Sequence, residues 1–228
     1  MKKYNYDIEK YNFSKIVKEL FVCDTLHKLH NKLPSDIQYK ELHKIGEDNK
    51  TWFHKTFYKP INEGDSNFQR LYDKFIVEVI SKFINEKNFL YQKTPTFRVH
   101  APENIAVGGW HRDSDYNHPT EEINFIVPLT KAYGTNTIWA ESVPGLKDFR
   151  PFIMDVGDIV QFDGNKCVHG NKANTTGVTR VSFDFRVIPF SVYKPDPSLK
   201  SIVVGKKFLM GDYYALYQEG LTKSDSII

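Results

Sequence analysis

The sequence predicts a mainly β protein with flanking helices, built on a double-stranded β-helix, or jelly-roll, core. Three observations carry that reading. From Thr94 onward, short β-rich segments follow one another with Gly, Pro, Asn or Asp between them and no helical pattern intervening. Before them lie two stretches with apolar residues at three-and-four spacing, the mark of amphipathic helices. Aromatic residues make up 14% of the 228 residues, enough to carry much of one sizeable core. At this length a single domain is expected, with mostly helical support over 1–93, the strand core over 94–190 and an extension over 191–228.

Residues 13–33 place Phe13, Val17, Leu20, Phe21, Leu26, Leu29 and Leu33 at mostly helical spacing, and Pro34 supplies a stop, which predicts one helix. Phe68, Leu71, Tyr72, Phe75, Ile76, Val79, Ile80, Phe83 and Ile84 fit the same period more closely, and Ser66 or Asn67 stands where an N-cap belongs. The strand run comprises TFRVH (96–100), IAVGGWH (105–111), EINFIVPL (122–129), TIWAE (137–141), DIVQF (158–162), KCVHG (166–170) and VTRVSFDFRVI (178–188). Many short strands without helices between them form a sandwich or barrel, and a jelly roll gathers inward-facing residues of several strands around one pocket. KKFLMGDYYALYQEG is aromatic enough to cover the barrel or meet a partner, and its short runs fit helix and strand alike.

The net charge of +3 comes from lysines spread along the chain with no polybasic block, so nucleic acid is not an expected partner. Cys23 and Cys167 lie far apart, which indicates neither a disulfide framework nor a zinc ribbon and fits a reducing cytoplasm. The basic N-terminus is not followed by an apolar region, and no window approaches the roughly 20 apolar residues of a membrane span.

His111-Arg112-Asp113 is the first motif with chemical content. On a strand starting near Ile105, residues two apart share a face, so His111 and Asp113 point together while Trp110 and Arg112 point away. The preceding Gly108-Gly109 permits a bulge that aims a ligand at a barrel mouth. His169, in another predicted strand, supplies a second imidazole. Two imidazoles and one carboxylate on one side of an iron(II) ion leave three positions open, enough for a chelating co-substrate and dioxygen together. With eight histidines present, chance supplies a His-x-Asp in roughly one such sequence out of two or three, so the pair alone carries little. Its weight comes from a third element. Arg180 and Ser182 share a strand face just after His169, across a turn at Asn174-Thr175-Thr176-Gly177, and a guanidinium beside a hydroxyl suits the distal carboxylate of a 2-oxo diacid. The bland alternative for an isolated arginine is a surface salt bridge.

His-x-Asp, a distal His and Arg-x-Ser in the last core strand resemble the pattern of the iron(II)/2-oxoglutarate-dependent dioxygenase superfamily, over roughly residues 94–189. The stretch GGWHRDSDYNHPTEEINFIVPLTKAYGTNTIWAES also looks like a narrower group, the streptomycin-biosynthesis-protein-G-like and phytanoyl-CoA-dioxygenase-like oxygenases. The resemblance implies that His111, Asp113 and His169 ligate Fe(II) and that Arg180 and Ser182 contact 2-oxoglutarate. It implies consumption of O2, release of succinate and CO2, and hydroxylation of a small molecule of sugar, aminoglycoside or nucleotide-sugar type. Related halogenases lack the carboxylate at the position of Asp113, which favours hydroxylation over chlorination. Two rivals stand beside this reading. A non-catalytic, cupin-like metal-binding or sensor barrel has no need of the Arg180/Ser182 pair, and a protein or peptide hydroxylase of the same superfamily needs a long substrate groove.

Asn124 alternates with Ile123 and Phe125, so its amide can face the pocket and bind co-substrate. Arg98 and His100 share a face of TFRVH and are candidate substrate contacts, against a strand-edge arginine and a core histidine as the plainer roles. Arg186 stands on the same face as Arg180 and competes as the co-substrate anchor; Arg180 is preferred for its distance from His169 and for Ser182. Asp115, His118, Glu121, Glu122 and Glu141 form a mainly acidic surround able to receive an amine or sugar hydroxyls, with Asp115 and Glu141 as candidate substrate contacts. Trp139 can stack on a sugar ring.

Overall fold

The longest strand, β9 (Arg180–Pro189), is buried on both faces, and the alternation along it sets the architecture. Val181, Phe183, Phe185 and Val187 point to one side and join a large apolar core, while Arg180, Ser182, Asp184 and Arg186 occupy the intervening positions. The structure, a computed structural model, describes residues 1–34, 50–106 and 109–220.

Around β9 an antiparallel sheet of seven strands forms, from β1 (Lys2–Asn5), β2 (Asn88–Gln92), β3 (Thr96–His100), β4 (Ile123–Pro128), β7 (Asp158–Phe162) and β10 (Tyr214–Gln218) beside β9 itself. The strands run in the order β1-β7-β4-β9-β2-β10, with β3 also paired to β9. β4 lies along one side of β9, setting Asn124 opposite Arg186. β3 and β2 share the other side, with Arg98 opposite Ser182 and Phe89 opposite Pro189. A second sheet of three strands, β6 (Arg150–Pro151), β5 (Ile138–Ala140) and β8 (His169–Asn171), is also antiparallel. Ile126 and Val160 of the large sheet pack with Ala140, Phe152 and Met154, which ties the two sheets together.

Helices cover the opposite face of the large sheet. α1 (Phe13–Leu20) begins at Asn12, whose side chain accepts a hydrogen bond from the Lys15 amide. The helix expected to run to residue 33 stops there because Val22 takes a left-handed backbone (φ 48°), and a 3-10 turn, Leu26–Lys32, resumes beyond it. Leu26 and Leu29 are still buried, so the apolar spacing reports docking without a continuous helix. α3 (Asn67–Glu78) starts at Ser66, whose Oγ accepts from the Gln69 amide, and gives way to a 3-10 turn, Ile80–Phe83, before the predicted end. Between them α2 (Trp52–Asn62) was not visible in the sequence pattern; it buries Phe53, His54 and Phe57 and carries Pro60 near its end, where the missing amide proton argues against a helix. Phe183 of β9 sits under this layer, with ring centroids 4.9 Å from Phe13 and 5.3 Å from Phe68.

Six of the seven predicted strand segments contain strand, although KCVHG contributes only its last two residues. The segment IAVGGWH forms none over its described residues, and Val107 and Gly108, with the bulge expected at 108–109, lie outside them in whole or part. Within the aromatic segment left open between helix and strand, Tyr214–Gln218 forms a strand, β10, which pairs with β2 along its length.

Two histidines are deeply enclosed. His54 bonds Thr51 Oγ1 and the Phe97 carbonyl, and burial with Arg98 nearby pushes its imidazole down to about 4. His100 contacts the Asn136 and Asn104 carbonyls, and burial followed by Arg180 pushes it down to about 3. An unfolded histidine titrates near 6.5, so as the pH falls the unfolded chain takes up the His54 proton first. Stability present above about pH 6.5 should therefore be lost progressively towards pH 4, on the order of a few kcal/mol. Urea midpoints at about pH 7.5 and 5 measure this, and His54→Gln should flatten the slope. Phe183→Ala should cost about 3–5 kcal/mol by the same assay, as a buried ring lost from a packed core.

Candidate metal centre

Two short backbone contacts bring the ligand candidates together. His111 and His169 exchange both backbone hydrogen bonds, at 3.0 and 2.9 Å, in a single antiparallel bridge. Directly opposed residues of such a pair project to the same side, and the imidazole centroids lie 4.5 Å apart. Asp113 arrives differently from the expected strand alternation. It opens a 3-10 turn, Asp113–Tyr116, whose first amide donates to the Gly164 carbonyl at 2.9 Å. The predicted neighbours thus meet through a bridge and a turn.

Each imidazole is oriented by its other nitrogen. His111 Nδ1 lies 2.8 Å from the Gly109 carbonyl and His169 Nδ1 lies 3.0 Å from the Cys167 carbonyl. A carbonyl only accepts, so both Nδ1 atoms carry the proton and both Nε2 lone pairs are left for a ligand. These Nε2 atoms stand 3.8 and 3.6 Å from Asp113 Oδ1. Candidate ligand atoms of the three residues all lie within 4.8 Å of one another. Asp113 is only 2% exposed. Burial alone would raise its carboxyl, but the Arg186 guanidinium outweighs it and holds it far below the usual carboxylate range. Burial, with His169 beside it, lowers His111. A charged carboxylate and a neutral imidazole are the protonation states a divalent cation requires.

The three residues line a cleft with Arg98, Ile138, Phe162, Gly170, Asn171, Arg180, Asp184 and Arg186. Its atom-free space, counted together with the open mouth, is about 440 Å³. Arg180 is 1% exposed. Its guanidinium donates to the Asn136 carbonyl, Ser182 Oγ and Asn171 Oδ1 at 3.0, 2.8 and 3.2 Å. Among the described residues no carboxylate forms an ion pair with it. Burial, then Arg98, pushes it down to about 9. Arg186 is in the opposite condition, with ion pairs to Asp113 and Asp184 at 2.9 Å each. Arg98 pairs with the other oxygen of Asp184 at 2.7 Å.

The remaining candidates fall outside this lining. Asn124 bonds Asp113 Oδ2 at 2.6 Å and accepts from the Gly164 amide, so its amide is turned toward the carboxylate. His100 is a core histidine with both ring nitrogens at carbonyls. Glu141 accepts from the amides of Val168, Gly145 and Lys147, and Asp115 from that of Arg112, so both organise loops. Trp139 stacks under Lys172, whose Nζ is 3.4 Å from the ring centroid. The expected acidic surround is also consumed at Glu122, which holds His118 and Tyr214. Asn171, Phe162 and Gly164 escaped the sequence reading. Asn171 was accessible, standing two residues after His169 on the same strand face, whereas the Gly164 contact depends on a loop with no pattern.

No helix among the described residues is long and apolar enough to cross a membrane. No family model matches the chain. Among solved structures, the chain resembles the non-heme alpha-ketoglutarate-dependent carbocyclase SnoK from nogalamycin biosynthesis (12% identity, TM-score 0.48, 93% of this chain and 89% of that one). It also resembles AviO1 from Streptomyces viridochromogenes (16% identity, TM-score 0.46, 87% and 91%). Both scores fall below the level at which structural likeness bears on fold or function. The sequence relationship is stronger: the streptomycin biosynthesis protein StrG of Streptomyces griseus is 39% identical over 168 residues, 73% of this chain and 77% of that protein. The chain therefore belongs to the family of the streptomycin biosynthesis protein StrG, and it carries His111-x-Asp113, the distal His169 and Arg180-x-Ser182.

Proposed function

We propose that the protein is a non-haem iron(II)- and 2-oxoglutarate-dependent dioxygenase that hydroxylates a small molecule of sugar, aminoglycoside or nucleotide-sugar type. The observation that carries this reading is one cleft holding both a His-Asp-His donor set and a buried arginine whose partners are all neutral. The donor set fits iron(II): two imidazole nitrogens and one carboxylate oxygen, with oriented rings. A guanidinium enclosed without a counter-charge costs desolvation energy that an incoming carboxylate would offset. The two antiparallel sheets around the site are read as the jelly-roll core.

Bound iron and 2-oxoglutarate would supply the oxidising chemistry, with O2 consumed, succinate and CO2 released, and a substrate C–H bond hydroxylated. His111, Asp113 and His169 hold the metal. Arg180 binds the distal carboxylate, with Ser182 and Asn171 fixing the guanidinium plane from behind. Ile138 and Phe162 supply apolar lining that limits water around the reacting atoms. Arg98 and Asp184 face the remaining space and orient the substrate. The sugar-type assignment is supported by the relative named for streptomycin biosynthesis. A purely metal-binding barrel is disfavoured because it leaves the buried Arg180 without a purpose.

Anaerobic addition of iron(II) and 2-oxoglutarate should give a weak visible charge-transfer band near the green, lost in His111→Ala; its absence from the intact protein refutes the assignment. Arg180→Leu should weaken 2-oxoglutarate binding by about 10–100-fold, the scale of a lost charged hydrogen-bond pair, while metal affinity stays near that of the parent. Unchanged 2-oxoglutarate affinity would move the anchor elsewhere. Succinate release screened against carbohydrate and peptide panels tests the substrate class, and turnover of peptides with no sugar accepted overturns it.

A further inference from the structure

We propose that Arg186 and Asn124 form a positioning clamp that restricts Asp113 to a single ligating oxygen, and that Glu122 and Tyr214 brace this clamp from the C-terminal strand. The inference rests on the metal-centre reading and concerns how the chain preserves it. The two oxygens of Asp113 are treated unequally. Oδ2 receives Asn124 Nδ2 at 2.6 Å, Arg186 Nη2 at 2.9 Å and Arg186 Nε at 3.2 Å. Oδ1 faces the two histidine Nε2 atoms, and among the described residues it accepts no hydrogen bond. Three donors saturate the lone pairs of Oδ2, so only Oδ1 remains for a cation.

The distinction has chemical weight. A carboxylate can swing to give a metal both oxygens, and the second would occupy one of the three positions that a chelating co-substrate and dioxygen need. Preventing that swing keeps three positions open.

Both arms of the clamp are themselves held. Asn124 Oδ1 accepts from the Gly164 amide at 3.1 Å, which fixes which end of the amide faces Asp113. Gly164 also accepts from the Asp113 amide, and a Cβ there would stand 2.9 Å from the Asn124 amide, so this approach requires glycine. Arg186 is gripped by Asp184 at 2.9 Å, with Gln92 Oε1 at 3.5 Å and Glu122 Oε2 at 3.9 Å from its nitrogens. Glu122 is held by His118 at 2.7 Å and by the Tyr214 hydroxyl, which donates to its other oxygen. The planar fork of arginine can place two N–H groups on one oxygen while a third reaches Asp184; an ammonium cannot reproduce this geometry.

Cobalt(II) titration of the full chain, followed by visible absorption, tests the clamp without catalysis, with thermal melting of the metal-free protein measured in parallel. Asn124→Ala and Arg186→Lys should weaken cobalt binding by about 10–100-fold, the usual effect of losing a group that orients a ligand. Tyr214→Phe should weaken it severalfold, and all three should alter the band shape that reports coordination number. Arg186→Lys risks misfolding because it disturbs buried acids, so Asn124→Ala and Tyr214→Phe carry the decision. Parental affinity and spectrum in those two variants, with His111→Ala unable to bind, would overturn the clamp alone. Absence of cobalt binding by the parent would overturn the metal centre and the clamp together.

Discussion

A charge can be buried only where opposite charge or hydrogen bonds replace the water it loses, and the inner face of β9 buries Arg180, Asp184 and Arg186 on one strand. Most of the site follows from how that demand is met. Arg98, Asp184, Arg186 and Asp113 form a chain of alternating sign in which every link is an ion pair. Arg180 stands apart, satisfied only by neutral groups, so the fold leaves one anion's worth of attraction directed into the cleft. The outer face of the same strand makes this arrangement rigid: Phe183 and Phe185, wedged under the helices, fix the backbone from which the charged residues project.

Those features were legible in the sequence to different depths. The two-residue period of β9 survives in the text of the chain, so Arg180 and Ser182 could be placed together before any fold was known. The His111–Asp113 proximity was also legible, but through the wrong local geometry, because a single bridge to His169 and a one-turn helix leave no periodic trace. Asn124 could be read as inward-facing from alternation; its partner could not, since that depends on the register placing it opposite Arg186. α2 was hidden by Pro60, and the helix predicted over 13–33 failed at Val22, where a left-handed β-branched residue interrupts an otherwise persuasive pattern.

The acids near His111 show why sequence proximity misleads about environment. Asp115, Glu122 and Glu141 cluster around the motif in the chain, yet each is occupied within the fold. Asp115 caps a turn, Glu122 holds His118 and Tyr214, and Glu141 gathers three amides of a loop. The cleft wall instead presents guanidinium groups, two apolar side chains and an asparagine, and its two aspartates, Asp113 and Asp184, are already paired with arginine. Hydrogen-bond donors and hydrocarbon, more than unpaired carboxylate, therefore face the open space of the cleft.

The pairing of β10 with β2 gives the site a place in time. Tyr214 reaches Glu122 across 92 positions, just as Tyr4 reaches Gln161 across 157, so closure of the sheet depends on segments synthesised far apart. A nascent chain that has already made His111, Asp113 and His169 still lacks the strand that supports Arg186 through Glu122.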